Sequence, residues 1–218
     1  MRNILNFICS IFKNKKVRLP AIGAGIAATT FSLSSPEHQH HADLWHSMEE
    51  RSSWSSRVDK VVNRIRENED RYRAAEQLTG VPWEIIAVLH NMESGGSFDH
   101  HMHEGSPLTG RTKWVPKGRP LGDPPFTWEE SCYDALITLK RMDEIDYSDI
   151  GEILYTLEKF NGLGYLKYRG INTPYLWSGS YHYTKGKYVA DGKYSRNAVS
   201  KQVGAAVILK RLGFSPRH

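Results

Sequence analysis

The chain has few cysteines, which excludes a fold built on disulfides or on cysteine-bound metal. Cys9 and Cys132 are the two cysteines among 218 residues. Two cysteines so far apart in the sequence form neither a disulfide framework nor a metal-binding motif. Internal repeats and low-complexity tracts are also lacking, so the fold must rest on an ordinary hydrophobic core. The length suits one domain with a short appendage and is too small for two ordinary domains.

A long, strongly apolar run is missing as well. Residues 19–35 carry no charge and follow the basic run Lys13–Arg18, which is the order of a secretory signal. They are rich in Gly, Ala, Ser and Thr, and they fall short of the roughly 20 strongly apolar residues of a stable membrane span. We therefore predict a leader at 1–35, either a cleaved export signal or a segment that enters the membrane and leaves it again. Both predict export to the periplasm or cell envelope, with weak or transient membrane contact through the leader.

The charge balance indicates an anionic partner. The chain has 29 Lys and Arg against 24 Asp and Glu, a formal net charge of +5, which favours nucleic acid, a membrane surface or an acidic cell wall. The basic residues form no nucleic-acid-binding motif, so nucleic acid is not expected as a partner. Six Trp and eleven Tyr are compatible both with a packed core and with a groove on which sugars stack.

Hydrophobic periodicity predicts a mainly α fold of α+β character. The polar, histidine-rich stretch 36–46 is interpreted as a linker, and 47–218 as a single helical catalytic domain. Its loops are irregular and rich in aromatics, with a small hairpin at Arg111–Val115. Helices are expected over one long run from Val58 to Thr79, a nearly all-apolar segment opened by Val81-Pro82, and the patterns 127–142, 150–160 and 197–212.

Glu93 is the ionisable residue whose position is most unusual. It follows the apolar run Ile85–Met92 on the same helix, and Gly95-Gly96 ends that helix immediately afterwards. Burial of a carboxyl there raises its pKa, which a glycosidic general acid needs in order to keep its proton near neutral pH. A glutamate that caps the helix or forms an ion pair is the structural alternative.

Two histidine clusters raise the alternative of a zinc hydrolase. His38, His40 and His41 lie in the predicted linker, and His100, His101 and His103 lie in a glycine-bounded loop. Neither cluster has the helical spacing of a His-Glu-x-x-His site. We therefore expect no metal and no cofactor.

Several blocks of the sequence resemble one family. The run from Thr79 to Ser94 resembles the catalytic helix of lysozyme-like lytic transglycosylases, whose Glu-Ser pair it matches at Glu93 and Ser94. Further blocks resemble, in order, the catalytic domain of phage phiKZ-type endolysins: Pro107–Thr112, Pro124–Ser131, Phe160–Gly162 and Ser180–Gly192. The likeness spans roughly Tyr72 to Leu212. The Gly-Leu-Met-Gln motif common among soluble transglycosylases is absent, and Ser106–Thr112 occupies that part of the chain.

This resemblance implies a monomeric, lysozyme-like enzyme that cuts peptidoglycan glycan strands. The β-1,4 bond between N-acetylmuramic acid and N-acetylglucosamine is cleaved with formation of a 1,6-anhydromuramic product, and Glu93 acts as both acid and base. Asn161 and Gly162 match the family's sugar-binding motif. The full set of expected substrate-binding residues is Ser94, Glu158, Asn161, Gly162, Tyr165, Tyr175, His182 and Tyr183.

Two other functions remain open at this point. A hydrolytic muramidase, similar to goose-type lysozyme, would use the same Glu93, with Glu158 or Asp99 as a second carboxylate that holds water or acts as nucleophile. A non-catalytic cell-wall-binding protein would explain the charge and the aromatics, but it would leave Glu93 without a role.

Overall fold

The first described segment is a helix where the sequence predicted a linker. A computed structural model describes residues 35–217, which belong to the compact unit Ser34–His218; the leader predicted at 1–35 lies, apart from Ser35, outside the described residues. Helix α1 (Pro36–His46) begins where Ser35 Oγ accepts a hydrogen bond from His38 N. Its buried residues His41 and Trp45 lie four positions apart, on one face of the helix. The linker prediction for 36–46 is therefore wrong, because this face packs into the domain.

The single long helix predicted before Gly80 is two helices. After a 3₁₀ turn at Ser52–Trp54 come α2 (Ser55–Glu67) and α3 (Glu69–Thr79). The chain breaks at Asn68, whose side-chain Nδ2 donates to the Arg64 carbonyl at 2.9 Å. This side-chain bond takes up a carbonyl at the end of α2, as expected for a residue that competes with the helical backbone.

Helix α4 (Trp83–Ser94) is the central element of the core. Ile85, Ile86, Val88 and Leu89 are each 0% exposed, as expected for a helix that is apolar on most faces. It packs against α3 and ends at Gly95, whose φ of 65° is the left-handed conformation that glycine adopts without strain.

The next helical region is shorter and less regular than predicted. Helix α5 (Trp128–Tyr133) begins with a capping box formed by Thr127 and Glu130 and packs against α3. It continues as a π-helical turn (Asp134–Leu139), and a 3₁₀ turn (Met142–Glu144) follows. The helix predicted over 127–142 is thus divided among three helical forms.

Helix α6 (Ile150–Asn161) lies against α1, with residue 151 at the contact. A Cβ atom on Gly151 would overlap the His38 carbonyl oxygen, so only glycine allows so close an approach. Two short helices follow, α7 (Gly164–Arg169) and α8 (Pro174–Trp177), and α8 packs on α6.

The hairpin lies in the aromatic-rich region and not at Arg111–Val115, where the described residues form bends and turns. Strands β1 (Lys187–Ala190) and β2 (Lys193–Ser195) pair antiparallel, with Tyr188 opposite Tyr194. Helix α9 (Ala205–Leu212) packs against α2, α4 and α8. It begins later than the predicted residue 197, because the chain is still extended at Gly204.

The expectation of a mainly α fold is confirmed. Residues 35–217 contain nine α-helices and one two-stranded hairpin around a common hydrophobic core. None of the helices in this part of the chain has the length and apolar character needed to cross a membrane.

Candidate active site

Glu93 lies in the last turn of α4, where the buried helix approaches the surface. The residues from Ile85 to Met92 are buried, whereas Glu93 and Ser94 are partly exposed. The main chain then turns back, with the amides of Gly95 and Gly96 both donating to the His90 carbonyl. The end of this helix therefore brings a carboxyl group from the core to the edge of solvent.

The nearest partner of this carboxyl is Tyr175, from the short helix α8. Tyr175 Oη donates a hydrogen bond to Glu93 Oε1 at 2.7 Å across a separation of 82 residues, and the tyrosine ring is buried. Within residues 35–217 the other oxygen, Glu93 Oε2, makes no hydrogen bond and is not fully buried. One oxygen is thus held in place by a hydrogen bond, and the other is in part open to solvent.

The electrostatic environment keeps Glu93 protonated to a higher pH than an exposed glutamate. Burial raises the pKa of Glu93, and the Tyr175 hydrogen bond and the positive charge of Lys140 offset this only in part. The pKa of Tyr175 is raised well above its usual value, first by burial and then by Glu93. The phenol therefore remains a hydrogen-bond donor.

A buried aromatic cluster fixes the backbone that follows α4. His90 lies one turn before Glu93; its Nδ1 is 2.9 Å from Tyr72 Oη and its Nε2 is 3.0 Å from the Ser97 carbonyl. Burial lowers the pKa of His90 to about 4, so the ring is neutral. Its Nε2–H then donates to Ser97 while Nδ1 accepts from Tyr72. The rings of Phe98 and Trp128 pack against it.

Gly105 brings the following loop against the end of α4. A Cβ atom at this position would lie 3.2 Å from the Glu93 carbonyl oxygen, and its φ of 79° is left-handed. Any other residue would both strain the backbone and push the loop away from Glu93. The loop is therefore held close to the base of the carboxyl group.

Lys140 lies near both Glu93 and the end of α6. Its charge acts on Glu93, and its Nζ lies 4.8 Å from the centroid of the Phe160 ring. Phe160 directly precedes Asn161 and Gly162 in the chain, so Lys140 packs beside the end of the helix that carries the Asn-Gly pair. Sequence reasoning missed Lys140, since an exposed lysine beyond a helix has no distinguishing pattern.

Three of the predicted binding residues meet at one cleft of about 480 Å³. Asn161 and Gly162 form one edge, and Gly162 has a φ of 85°. Tyr165 lies behind them, with its hydroxyl accepting a hydrogen bond from Tyr188 N at 3.1 Å. The complete lining is Asn161, Gly162, Gly164, Tyr165, Tyr168, Tyr188, Ala190, Asp191 and Gly192. Amide, hydroxyl and aromatic groups of this kind suit a sugar ring.

Three other predicted binding residues bond to nearby backbone. Ser94 Oγ donates to the His90 carbonyl at 3.0 Å. His182 Nε2 lies 3.0 Å from the Leu44 carbonyl. The buried Tyr183 hydroxyl donates to the Gly186 carbonyl and accepts from Ser200 N, each at 3.1 Å. These contacts support the local chain, and we leave the three residues out of the proposed binding surface.

Glu158 faces the interior and not a groove. It is 4% exposed, and its Oε2 lies 2.7 Å from His41 Nε2, while His41 Nδ1 donates to the Glu37 carbonyl. Sequence reasoning could not see this pair, because it requires α1 where a linker was expected. Asp99, the other candidate second carboxylate, lines a separate pocket with Arg71 and Glu129.

The histidines of the supposed zinc clusters have other partners. His101 and His103 both contact Ser131 Oγ, and His103 Nε2 lies 2.8 Å from Asp134 Oδ2. Elsewhere in residues 35–217, His38, Asp149 and Glu152 offer ligand atoms within 4.8 Å of one another. Asp149 there caps α6 by accepting from the amides of Gly151 and Glu152.

The site around Glu93 thus consists of one partly buried carboxyl with a raised pKa, a buried tyrosine that donates to it and a lysine whose charge acts on it. The aromatic cleft beside Asn161 and Gly162 is a second candidate region. Lys140 is the one charged residue among the groups that shift the pKa of Glu93 in the described part of the chain. Comparison of the chain with protein-family models, with curated proteins and with solved structures found no match.

Proposed function

We propose that this protein is a lysozyme-like lytic transglycosylase that cleaves peptidoglycan glycan strands, with Glu93 as its acid and base. The observation that carries the proposal is the state of Glu93: a raised pKa, one oxygen fixed by Tyr175 and, among the described residues, no hydrogen bond to the other. A general acid needs its proton near the working pH and must reach the leaving oxygen. Glu93 satisfies the first requirement by burial and the second by its place at the surface end of α4.

In the proposed reaction, the Glu93 carboxyl protonates the oxygen that joins muramic acid C1 to the N-acetylglucosamine leaving group. The C1–O bond breaks, and positive charge develops on the muramic ring. The resulting carboxylate then takes the proton from the muramic C6 hydroxyl, whose oxygen bonds to C1 and closes the 1,6-anhydro ring. Glu93 regains its proton and no water is consumed. The Tyr175 hydroxyl stabilises the intermediate carboxylate and keeps it in position.

The surroundings of Glu93 favour this route over hydrolysis. A retaining hydrolase needs a second carboxyl about 5 Å away, and an inverting one needs it about 6.5–9.5 Å away to hold water. The two candidates for this second carboxyl have other surroundings, since Glu158 is buried against His41 and Asp99 lines a separate pocket. A mechanism in which one carboxyl acts first as acid and then as base requires no second carboxyl.

The proposed binding partner is the glycan strand, with the Asn161 cleft as one sugar-binding site. Asn161 offers an amide for an N-acetyl group, and Tyr165, Tyr168 and Tyr188 offer ring and hydroxyl surface. We also propose that the protein acts as a monomer in the periplasm or cell envelope, where its substrate lies. Neither a metal nor a cofactor takes part in the proposed steps.

Mass spectrometry of muropeptides released from purified sacculi tests this function. The expected products end in anhydromuramic acid, lighter by one water than hydrolytic products. Glu93→Gln should lower the rate by about 10²–10⁴-fold, the range for loss of a positioned acid. Glu84→Gln, the same change in the first turn of α4, is the matched control and should retain activity. Products with water added would support a muramidase, and unchanged lysis by folded Glu93→Gln would refute the proposal.

A further inference from the structure

The loop between residues 111 and 122 exposes large apolar side chains to solvent. Trp114 is 71% exposed, Val115 is 89% exposed and Leu121 is 74% exposed. Single exposed apolar residues are common on protein surfaces, but two consecutive large ones at a loop tip with a third nearby call for an explanation. This loop has no part in the reaction proposed for Glu93.

Backbone hydrogen bonds hold the loop in a defined shape. Thr112 N donates to the Arg119 carbonyl at 2.7 Å, and Gly118 N donates to the Thr112 carbonyl at 2.9 Å. Arg119 N also donates to Thr112 Oγ1 at 2.8 Å. Residues 113–118 therefore form a tip that is closed at its base by these hydrogen bonds, and Trp114 and Val115 lie within the tip.

The base of the loop is anchored in the domain by a partly buried ion pair. Both Arg119 Nε and Arg119 Nη2 donate to the Asp134 carboxylate, which His103 Nε2 also contacts. Asp134 lies at the start of the π-helical turn, so the anchor joins the loop to a packed element. A fixed anchor under an exposed apolar tip suits a surface that inserts into a partner, since little conformational entropy is lost on contact.

Positive charge surrounds the apolar tip. Lys113 precedes Trp114, Lys117 follows Val115 at the other side of the tip, and both are exposed. Within the described part of the chain neither lysine forms an ion pair. Arg111, at the base, is also exposed; it donates to the Gly122 carbonyl and lies 3.8 Å from the Asp123 carboxylate, so the two lysines carry the unpaired charge. The partner is therefore expected to offer negative charge beside an apolar interior.

We propose that this tip, residues 113–118, docks on an anionic lipid bilayer. Tryptophan favours the interface between headgroups and hydrocarbon, and lysines beside it attract anionic headgroups. Val115 distinguishes a bilayer from a glycan: an aliphatic side chain gains free energy by leaving water for hydrocarbon, whereas sugar rings stack on flat aromatic faces. The contact is independent of the N-terminal leader and would hold the catalytic domain beside the membrane.

Flotation of the full-length protein with vesicles tests the proposal. The vesicles are equimolar phosphatidylglycerol and phosphatidylcholine, at the lipid concentration that floats half of the wild-type protein. Trp114→Ser combined with Val115→Ser should lower the partition coefficient at least about tenfold, equivalent to about 1.4 kcal/mol. Lys113→Gln combined with Lys117→Gln should lower partitioning on these vesicles and leave that on pure phosphatidylcholine unchanged.

The matched control changes an aromatic and a valine that are exposed elsewhere. Tyr181 is 58% exposed and Val199 is 49% exposed, and their double replacement by serine should leave partitioning unchanged. All variants keep the leader, so a difference in partitioning between a variant and the wild type belongs to the replaced side chains. Equal partitioning of the Trp114/Val115 variant and wild type, or an equal loss in the control, would overturn the proposal. The proposal would also be overturned if the Trp114/Val115 variant bound vesicles like the wild type but bound sacculi less well, because the tip would then contact the cell wall.

Discussion

The Tyr175 hydroxyl donates a hydrogen bond to one oxygen of the Glu93 carboxyl, and this bond shifts the pKa values of the two groups in opposite directions. It stabilises the charged form of Glu93 and so limits how far burial raises the pKa of that residue. It also adds to the burial that raises the pKa of Tyr175, which keeps the phenol protonated. In the proposed reaction, Glu93 can therefore be protonated before the first step and still be stabilised as a carboxylate after it.

Replacing Tyr175 by phenylalanine tests this balance. The variant loses the hydrogen bond that lowers the pKa of Glu93, so burial should raise that pKa further. Since the proposed first step requires protonated Glu93, the alkaline limb of the kcat/KM profile should move to higher pH. The rate at neutral pH should fall roughly tenfold, because a net hydrogen bond contributes on the order of 1 kcal/mol. Sacculus lysis measured across pH checks both effects, and an alkaline limb that stays in place would contradict the assigned role of Tyr175.

At the scale of the elements, helices α1 and α6 pack closely against each other at Gly151. Their contact buries His41 and Glu158, a pair whose partners are 117 residues apart in the chain. The pair satisfies two polar groups that would otherwise be costly to bury. Helix α1 is therefore part of the folded domain and stabilises it.

Gly151→Ala should separate these two helices. The added Cβ would overlap the His38 carbonyl oxygen, and backbone cannot move aside as a flexible side chain can. We expect the free energy of unfolding to fall by about 1–3 kcal/mol, the usual cost of overpacking. Urea denaturation measures it. Gly110→Ala is the control, because a Cβ there meets nothing within 4 Å; equal stability of the two variants would show that the contact is not tight.

For the molecule as a whole, local patterns predicted the helices better than the contacts between them. The apolar run before Glu93 and the glycines after it predicted both the burial of α4 and its end at Gly95. The mainly α fold class followed from the same periodicity. The linker prediction for 36–46 is wrong because a polar, histidine-rich stretch resembles a linker, whereas His41 is buried by its contact with Glu158.

Long-range pairings set the limit of prediction at the candidate site. The sequence singled out Glu93, Asn161 and Tyr175, but the contact of Tyr175 with Glu93 depends on how α8 packs, which no local pattern shows. The inward orientation of Glu158 and the place of Lys140 depend on tertiary packing in the same way. The roles proposed for these residues rest on the resemblance to lytic transglycosylases, since periodicity alone indicates no roles.

The free energy of unfolding of the whole domain should vary with pH in part because of Glu93. Its folded pKa is raised above the ordinary 4.5, so ionisation costs stability as pH rises through the folded pKa, and no cost remains well below 4.5. Glu93→Gln removes this cost and should stabilise the protein at high pH. The gain should disappear in acid. Urea denaturation at several pH values checks this, and a gain independent of pH would count against a raised pKa.

Direct titration of the Glu93 carboxyl tests the central claim of a partly buried proton donor. In carbon-13 NMR of glutamate-labelled protein, the Glu93 signal is identified by its loss in Glu93→Gln. We expect its midpoint above that of the exposed glutamates, and higher still in Tyr175→Phe. A midpoint at or below the ordinary 4.5 would mean that Glu93 is ionised before any substrate arrives, which would contradict its role as the acid.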